Sequence, residues 1–266
     1  MIYRVKKDFK KIKNVYESYV VADFDRTLTK GNSKTSWSLL SNTNLLPNEY
    51  VQERQALYNK YRPIEIDISL PFDYRLEQMN SWFREHIELF VKYNLKESYI
   101  KEVASNLSIM EFRDGAKEFI RYLYQNQIPL IIISAGIGNF IKSFLEKEEC
   151  YYSNVHIVSN MIKFRDGVAI GVENNVIHSL NKNEVSLTAE IKEKLSKRNN
   201  IILLGDQIDD IRMVEESKRE KTTRVSFLLD STQLSSYKEY FDFVCTDDTS
   251  YDEIGNCLFE HYKASK

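Results

Sequence analysis

The sequence predicts an α/β chain, with a mostly parallel sheet flanked by helices and a helical insert after the first strand. Three observations predict it. Short runs such as Tyr19–Ala22, Pro129–Ile133 and Ile201–Leu204 are apolar on both faces, which marks strands buried inside a parallel sheet. From residue 109 onward, runs of this kind alternate with segments of helical periodicity, as in βαβ units. Residues 35–108, in contrast, hold helical periodicity and no convincing strand.

Taken in order, residues 1–18 are charged with scattered apolar positions, and a short helix is expected to lead into the first strand. Lys30-Gly-Asn-Ser reads as a loop. Glu49 to Tyr61 reads as a helix ending before Pro63, because the residue preceding a proline disfavours the helical region. Leu76, Met79, Phe83, Ile87 and Phe90 recur at steps of three and four, one face of a long helix with Asp73 placed to cap its start. Ile100, Val103, Ala104 and Leu107 repeat the pattern.

Beyond 109, Ala116, Phe119, Ile120 and Leu123 give a helix face, and Phe140, Ile141, Phe144 and Leu145 another. Val155–Val158 reads as a strand. Residues 161–178 alternate around Arg165-Asp-Gly and Glu173-Asn-Asn, predicting two hairpin turns. Leu187, Ile191 and Leu195 mark a helix, and so do Ile211, Met213 and Val214. Val225–Leu229 and Phe241–Cys245 read as the last strands, before a helix carrying Ile254, Leu258 and Tyr262. The division expected is a discontinuous body, 1–34 with 109–266, and an inserted helical unit, 35–108.

Composition narrows the function. The chain has 266 residues, 42% hydrophobic and 29% charged, with a formal net charge of −2. No basic field argues for a nucleic acid polymer or an anionic membrane. No apolar run approaches the length of a membrane span, and the first residues lack the apolar stretch of a signal peptide. Three widely spaced cysteines, Cys150, Cys245 and Cys257, do not suggest a disulfide framework. A cytoplasmic setting is expected, and a monomer is favoured.

The first strand runs directly into Asp23 and Asp25, with Thr27 two residues further on. Alternate residues of an extended chain share a face, so the two carboxylates reach one point beyond the strand's carboxyl end, where open α/β sheets bind ligands. Two acids at one point share a proton or gather around a cation. Three later segments also sit at predicted strand ends or in loops beyond them: Ser134-Ala135-Gly136, Lys182, and Asp206 with Asp209 and Asp210. Taken singly, each is an ordinary turn, a solvated lysine or an acidic helix start. Together they match the needs of phosphoryl transfer. Ser134 supplies a hydroxyl, Gly136 and its neighbours backbone N–H donors, Lys182 a positive charge, and the acids hard oxygen ligands suited to Mg²⁺.

Asp-x-Asp-x-Thr, a serine after the second strand, a lysine, and Gly-Asp-x-x-x-Asp resemble the motif set of the haloacid dehalogenase-like (HAD) superfamily. Tyr61-Arg-Pro-Ile-Glu-Ile-Asp, Trp82-Phe, Ile133-Ser-Ala-Gly-Ile-Gly, Val158-Ser-Asn and Ile177-His-Ser-Leu-Asn-Lys narrow the resemblance to cytosolic 5′-nucleotidase III, the pyrimidine 5′-nucleotidase family. The resemblance implies a Rossmann-like HAD core and a helical cap. It also implies Mg²⁺-dependent hydrolysis of nucleoside 5′-monophosphates, of pyrimidines or of 7-methylguanosine. By the same resemblance, Asp23 is the nucleophile that forms an aspartyl-phosphate and Asp25 the general acid and base. Asp23, the backbone carbonyl of Asp25 and Asp206 hold Mg²⁺, with Asp210 in register as the second acid of the last motif. Thr27, Ser134, Ala135, Gly136 and Lys182 bind phosphate, and Glu65 contacts the base.

Trp82 is a candidate for stacking on the base or for packing within the cap. His86 stands where the family has a serine that contacts substrate, and Asp209 replaces a glycine, adding negative charge near the metal. These departures keep a second reading open, a HAD phosphatase for another small phosphomonoester. A non-catalytic binding protein on the same scaffold is a third reading, against which the intact acids and lysine argue.

Overall fold

The apolar runs form the strands their composition requires. The computed structural model describes residues 1–67, 69–105, 110–173, 175–182 and 187–263. Its strands are β1 (Ile2–Arg4), β2 (Ser18–Ala22), β3 (Leu130–Ile137), β4 (Val155–Asn160), β5 (Ile162–Arg165), β6 (Val168–Val172), β7 (Asn200–Gly205), β8 (Thr222–Leu228) and β9 (Phe243–Thr246). Its helices are α1 (Asn48–Ile66), α2 (Phe72–Lys92), α3 (Glu97–Ala104), α4 (Ala116–Gln125), α5 (Gly138–Lys147), α6 (Ala189–Ser196), α7 (Leu234–Tyr240) and α8 (Tyr251–Leu258).

Seven strands form one sheet in the order β1-β9-β8-β7-β2-β3-β4. All neighbours are parallel except β1, which lies antiparallel on β9 at the edge. β2 is central and buried at every residue. Its side chains alternate between two cores, as a period of two demands. Val20 and Ala22 pack in the cluster that includes Phe119 of α4, Phe140 of α5 and Ile254 of α8. Tyr19 and Val21 pack with Leu195 of α6 and Met213. Helices therefore cover both faces, as a parallel sheet requires. Among the described residues no helix is long and apolar enough to cross a membrane.

Several local expectations are corrected. The N-terminal segment contributes an edge strand and one 3₁₀ turn, Val15–Glu17, in place of a helix. Backbone pairing of Ile2, Tyr3 and Arg4 with β9, and Phe9 packed edge-on against Phe243, outweigh the weak helical pattern. α1 continues through Pro63. Tyr61 stacked on Trp82, and Arg75 Nη2 donating to the Glu65 carbonyl at 2.5 Å, hold the turns on either side of the proline. The extended residue before α2 is Pro71, and no side chain caps the helix; Asp73 sits within its first turn. Residues 208–213 form 3₁₀ turns, because Asp210 Oδ2 bonds back to the N–H groups of Asp206 and Gln207 and tightens the chain. Asp166-Gly167, with φ of 51° and 76°, makes the first predicted hairpin turn between β5 and β6. No second strand pair follows it among the described residues. Leu107, Ile109 and Asn174 lie outside the described residues, as does the 108/109 boundary.

Candidate active site

β2, β3 and β7 are adjacent and parallel, so their carboxyl ends lie side by side. Asp23 follows β2, Ser134–Gly136 lie in the last turn of β3, and Asp206 follows β7. The switch in strand order around β2 opens a crevice there. A cavity of about 600 Å³ occupies it, walled on the far side by α1 and α2.

Asp23, Asp206 and Asp210 are buried, and one carboxylate oxygen from each lies within 4.8 Å of the others. Lys182 joins them, its Nζ donating to Asp23 Oδ1 at 2.5 Å and to Asp210 Oδ1 at 3.1 Å. Burial raises the Asp23 carboxyl to about 6, with Asp210 adding to the rise and Lys182 opposing it. Burial, then Asp210 and Asp23, lift Asp206 well above the usual carboxylate range. Burial alone would lower the Lys182 ammonium, but Asp210 and Asp23 outweigh it and keep it charged. Three buried acids against one lysine leave excess negative charge. Three hard oxygen donors converging in a buried setting suit a small divalent cation.

Asp25 is held differently. Its oxygens accept from Ser36 N at 3.2 and 3.3 Å, and Oδ2 accepts from Ser36 Oγ at 3.2 Å. Burial, then the charge on Asp23, push its carboxyl to about 7. The two neighbouring acids thus have different surroundings, one against a lysine and one against a serine.

The Ser134–Gly136 turn arises from a register break. β3 and β4 pair evenly from Leu130 to Ile133, then resume at Ile137 opposite Asn160, leaving two extra residues in β3. Gly136 N–H donates to Ser134 Oγ at 3.0 Å, and Ile137 N–H donates to Ser36 Oγ at 3.0 Å. A Cβ on Gly136 would lie 2.3 Å from Ser36 Oγ, so any larger residue would push that hydroxyl aside. The outward carbonyls are tied down. Ala135 O accepts from Trp37 Nε1 at 2.7 Å and Asn160 Nδ2 at 2.9 Å, and Gly136 O accepts from Ser159 Oγ at 2.7 Å.

The segment before Lys182 is equally constrained. Asn160 bonds the backbone N–H and carbonyl of Ile177, each at 2.8 Å. Leu180 N–H donates to His178 Nδ1, so the ring proton sits on Nε2, facing Asn80 Oδ1 of α2 at 3.3 Å. Burial pushes His178 down to about 4, keeping it neutral.

On the helical wall, Glu65 Oε1 accepts from Ser179 Oγ at 2.8 Å, while Arg62 donates to Oε2. Trp82 borders the cavity and stacks on Tyr61 at 5.9 Å, so packing and lining coexist in one side chain. His86 borders it too, buried against Trp37 at 4.5 Å with Nε2 3.4 Å from Tyr50 Oη. Burial first, and Arg54 second, push its pKa to about 3.

One candidate falls outside the cavity. Thr27 is fully buried elsewhere, and its hydroxyl has no hydrogen-bond partner. Period-two alternation ends at Asp25, because the N–H groups of Thr27, Leu28 and Thr29 all turn back to the Phe24 carbonyl and Arg26 adopts φ 66°. Asp209, expected to add charge at the metal, pairs instead with Arg212 Nε at 3.2 Å and is not part of the acid cluster.

The model of the pyrimidine 5′-nucleotidase (UMPH-1) family matches residues 21–261. The chain belongs to this family. The 7-methylguanosine phosphate-specific 5′-nucleotidase of Drosophila melanogaster is 34% identical over 244 residues, covering 88% of this chain and 76% of that protein. The Homo sapiens protein of the same name is 32% identical over 252 residues, covering 91% and 83%. A crystal structure of cytosolic 5′-nucleotidase IIIB bound to cytidine superposes with a TM-score of 0.82 at 32% identity, covering 91% of this chain and 84% of that one. A HAD family hydrolase from Salmonella enterica, 15% identical, shares the fold with a TM-score of 0.62, covering 93% and 73%.

In this pyrimidine 5′-nucleotidase family member, the sequence reading missed Ser36, Trp37 and Arg54, and it gave no role to Arg62, Asn160 or Ser179. Ser36, Trp37 and Arg54 come from the insert and carry no motif. Asn160 and Ser179 lie inside quoted motifs, where their burial and bonding were invisible.

Proposed function

We propose that the chain hydrolyses nucleoside 5′-monophosphates to nucleoside and phosphate through an aspartyl-phosphate on Asp23. The observation that carries this reading is the convergence of Asp23, Asp25, Ser134, Lys182, Asp206 and Asp210 on one cavity. In the first displacement an Asp23 oxygen attacks phosphorus in line with the ribose 5′ oxygen, and Asp25 protonates that oxygen as it leaves. In the second, Asp25 takes a proton from water, which attacks the acyl phosphate and regenerates Asp23. Dividing hydrolysis into two displacements makes each easier. Asp25's raised carboxyl and its serine partner suit a group that must hold and release a proton.

Ser134 Oγ, oriented by the Gly136 N–H, and the backbone N–H of Ala135 are the proposed donors to the phosphoryl oxygens, and Lys182 offsets their charge. Asp23, Asp206, Asp210 and the Asp25 carbonyl are the proposed Mg²⁺ ligands. A bound Mg²⁺ supplies the positive charge that lets a carboxylate approach an anionic phosphate. Residues 35–108 are assigned as a cap, with Glu65 accepting from the base and Trp82 and His86 bordering it. The free cysteines support a reducing, cytoplasmic setting.

Phosphate release from a panel of nucleoside monophosphates, sugar phosphates and phosphoserine, with Mg²⁺ or with EDTA, tests the proposal. Nucleotide hydrolysis that EDTA removes and Mg²⁺ restores is expected. Turnover of the other phosphoesters with none of the nucleotides would overturn the substrate class.

A further inference from the structure

α1 presents a polar stripe to the cavity. Arg54, Tyr58, Arg62 and Glu65 recur at steps of four, four and three, and all four line it. Arg62 pairs with one Glu65 oxygen and Ser179 Oγ with the other, so donors of the protein already engage both oxygens. The Glu65 side chain is only 15% exposed, whereas that of Arg62 is 38% exposed, so the pair lies at the cavity rim and salt reaches it from the arginine side. Arg54, anchored through Nε to the Trp37 carbonyl at 3.3 Å, brings a second guanidinium to the same cavity. Along this stripe two guanidiniums stand against one carboxylate.

We propose that Arg62 determines base specificity, by neutralising Glu65 so that the cavity takes an uncharged pyrimidine in preference to the cationic ring of 7-methylguanine. The assignment rests on the nucleotidase reading, with the base set against Glu65. Methylation of N7 gives guanine a formal positive charge. Such a ring gains most from an unpaired carboxylate, whereas here it meets one already paired and a guanidinium that repels it. An uncharged pyrimidine pays no such penalty. Its O2, common to cytosine and uracil, accepts from the Arg62 fork, while Glu65 accepts from the exocyclic amine or ring N–H. The preference proposed here is the opposite of the one in the names of the relatives called 7-methylguanosine phosphate-specific.

The test compares kcat/KM for CMP, UMP and 7-methyl-GMP in the parent and in Arg62→Gln. Ratios are taken within one preparation, so that any loss of folded protein cancels. The parent is expected to favour CMP and UMP. Arg62→Gln is expected to move the ratio about tenfold toward 7-methyl-GMP, a difference of about 1.4 kcal/mol. The shift should shrink at high ionic strength, which a purely structural role would not produce. A parent that favours 7-methyl-GMP, or a ratio unmoved in the variant, overturns the assignment. A parent that turns over other phosphomonoesters but no nucleotide overturns the nucleotidase reading itself, and the Arg62 assignment falls with it.

Discussion

Asn160 is the joint between the two segments that frame the proposed phosphate site. It is 1% exposed, and its side chain donates to the carbonyls of Ala135, Gly136 and Ile177 and accepts from Ile177 N–H. Asn160→Ala would not harm these groups equally. Ala135 O keeps Trp37 Nε1, and Gly136 O keeps Ser159 Oγ. Both polar groups of Ile177 lose the side chain that pairs them in a buried setting. An orphaned buried backbone group costs about 1–3 kcal/mol, so two cost about 2–6 kcal/mol. Against a total stability of about 5–15 kcal/mol, that is a large fraction. Ser159→Ala is the matched control. It removes one bond to a carbonyl that Asn160 still satisfies, and should cost about 0.5–1.5 kcal/mol. Urea unfolding of the metal-free protein reads both values. An Asn160→Ala loss no larger than that of Ser159→Ala would refute the reasoning. Turnover should also fall about tenfold or more, because the turn at 134–136 and the segment leading to Lys182 lose their tie.

Asp23→Asn should reduce phosphate release at least about 10³-fold while the thermal melt stays cooperative, and an undiminished rate removes Asp23 from the nucleophile role. Gly136→Ala should lower kcat/KM by about tenfold or more, because the added Cβ would displace Ser36 Oγ, which bonds both Asp25 and Ile137 N–H. Equal kcat/KM would mean that the turn yields easily. The Asp25 carboxyl, raised to about 7 when folded, sits near 4 in the unfolded chain, so folding takes up a proton between those values. The stability it contributes is complete below about pH 4 and is lost as pH rises through about 7. In metal-free protein, the melting temperature of Asp25→Asn relative to the parent should therefore climb from pH 4.5 to pH 8, and a gap that does not change with pH would contradict the assignment.

Much of the site was legible because its carriers follow strands. Asp23, Ser134 and Asp206 come directly after or within short apolar runs whose length and β-branched content read as buried strands, and parallel pairing then brings strand ends together. Lys182 was legible as a motif, yet its contact with Asp23 and Asp210 depends on how Asn160, His178 and Asn181 bend residues 176–182. Thr27 was misplaced because spacing along an extended chain says nothing once the chain turns at Phe24. Pro63 was misjudged because local preference, worth a few kcal/mol, is outweighed when both flanking turns are packed.

The sequence by itself determined the buried strands, their alternation with helices, the helices between β2 and β3 and the acids at the strand ends, since these depend on burial patterns and neighbours along the chain. Only the tertiary structure decided which residues of the insert face the acids, that Asp209 turns to Arg212, and that Arg62 and Ser179 engage Glu65. The Ser179–Glu65 bond joins a loop to a distant helix, and although Asp209–Arg212 and Arg62–Glu65 are neighbours three apart along the chain, the packing of the elements that carry them decides which of these side chains face the acids.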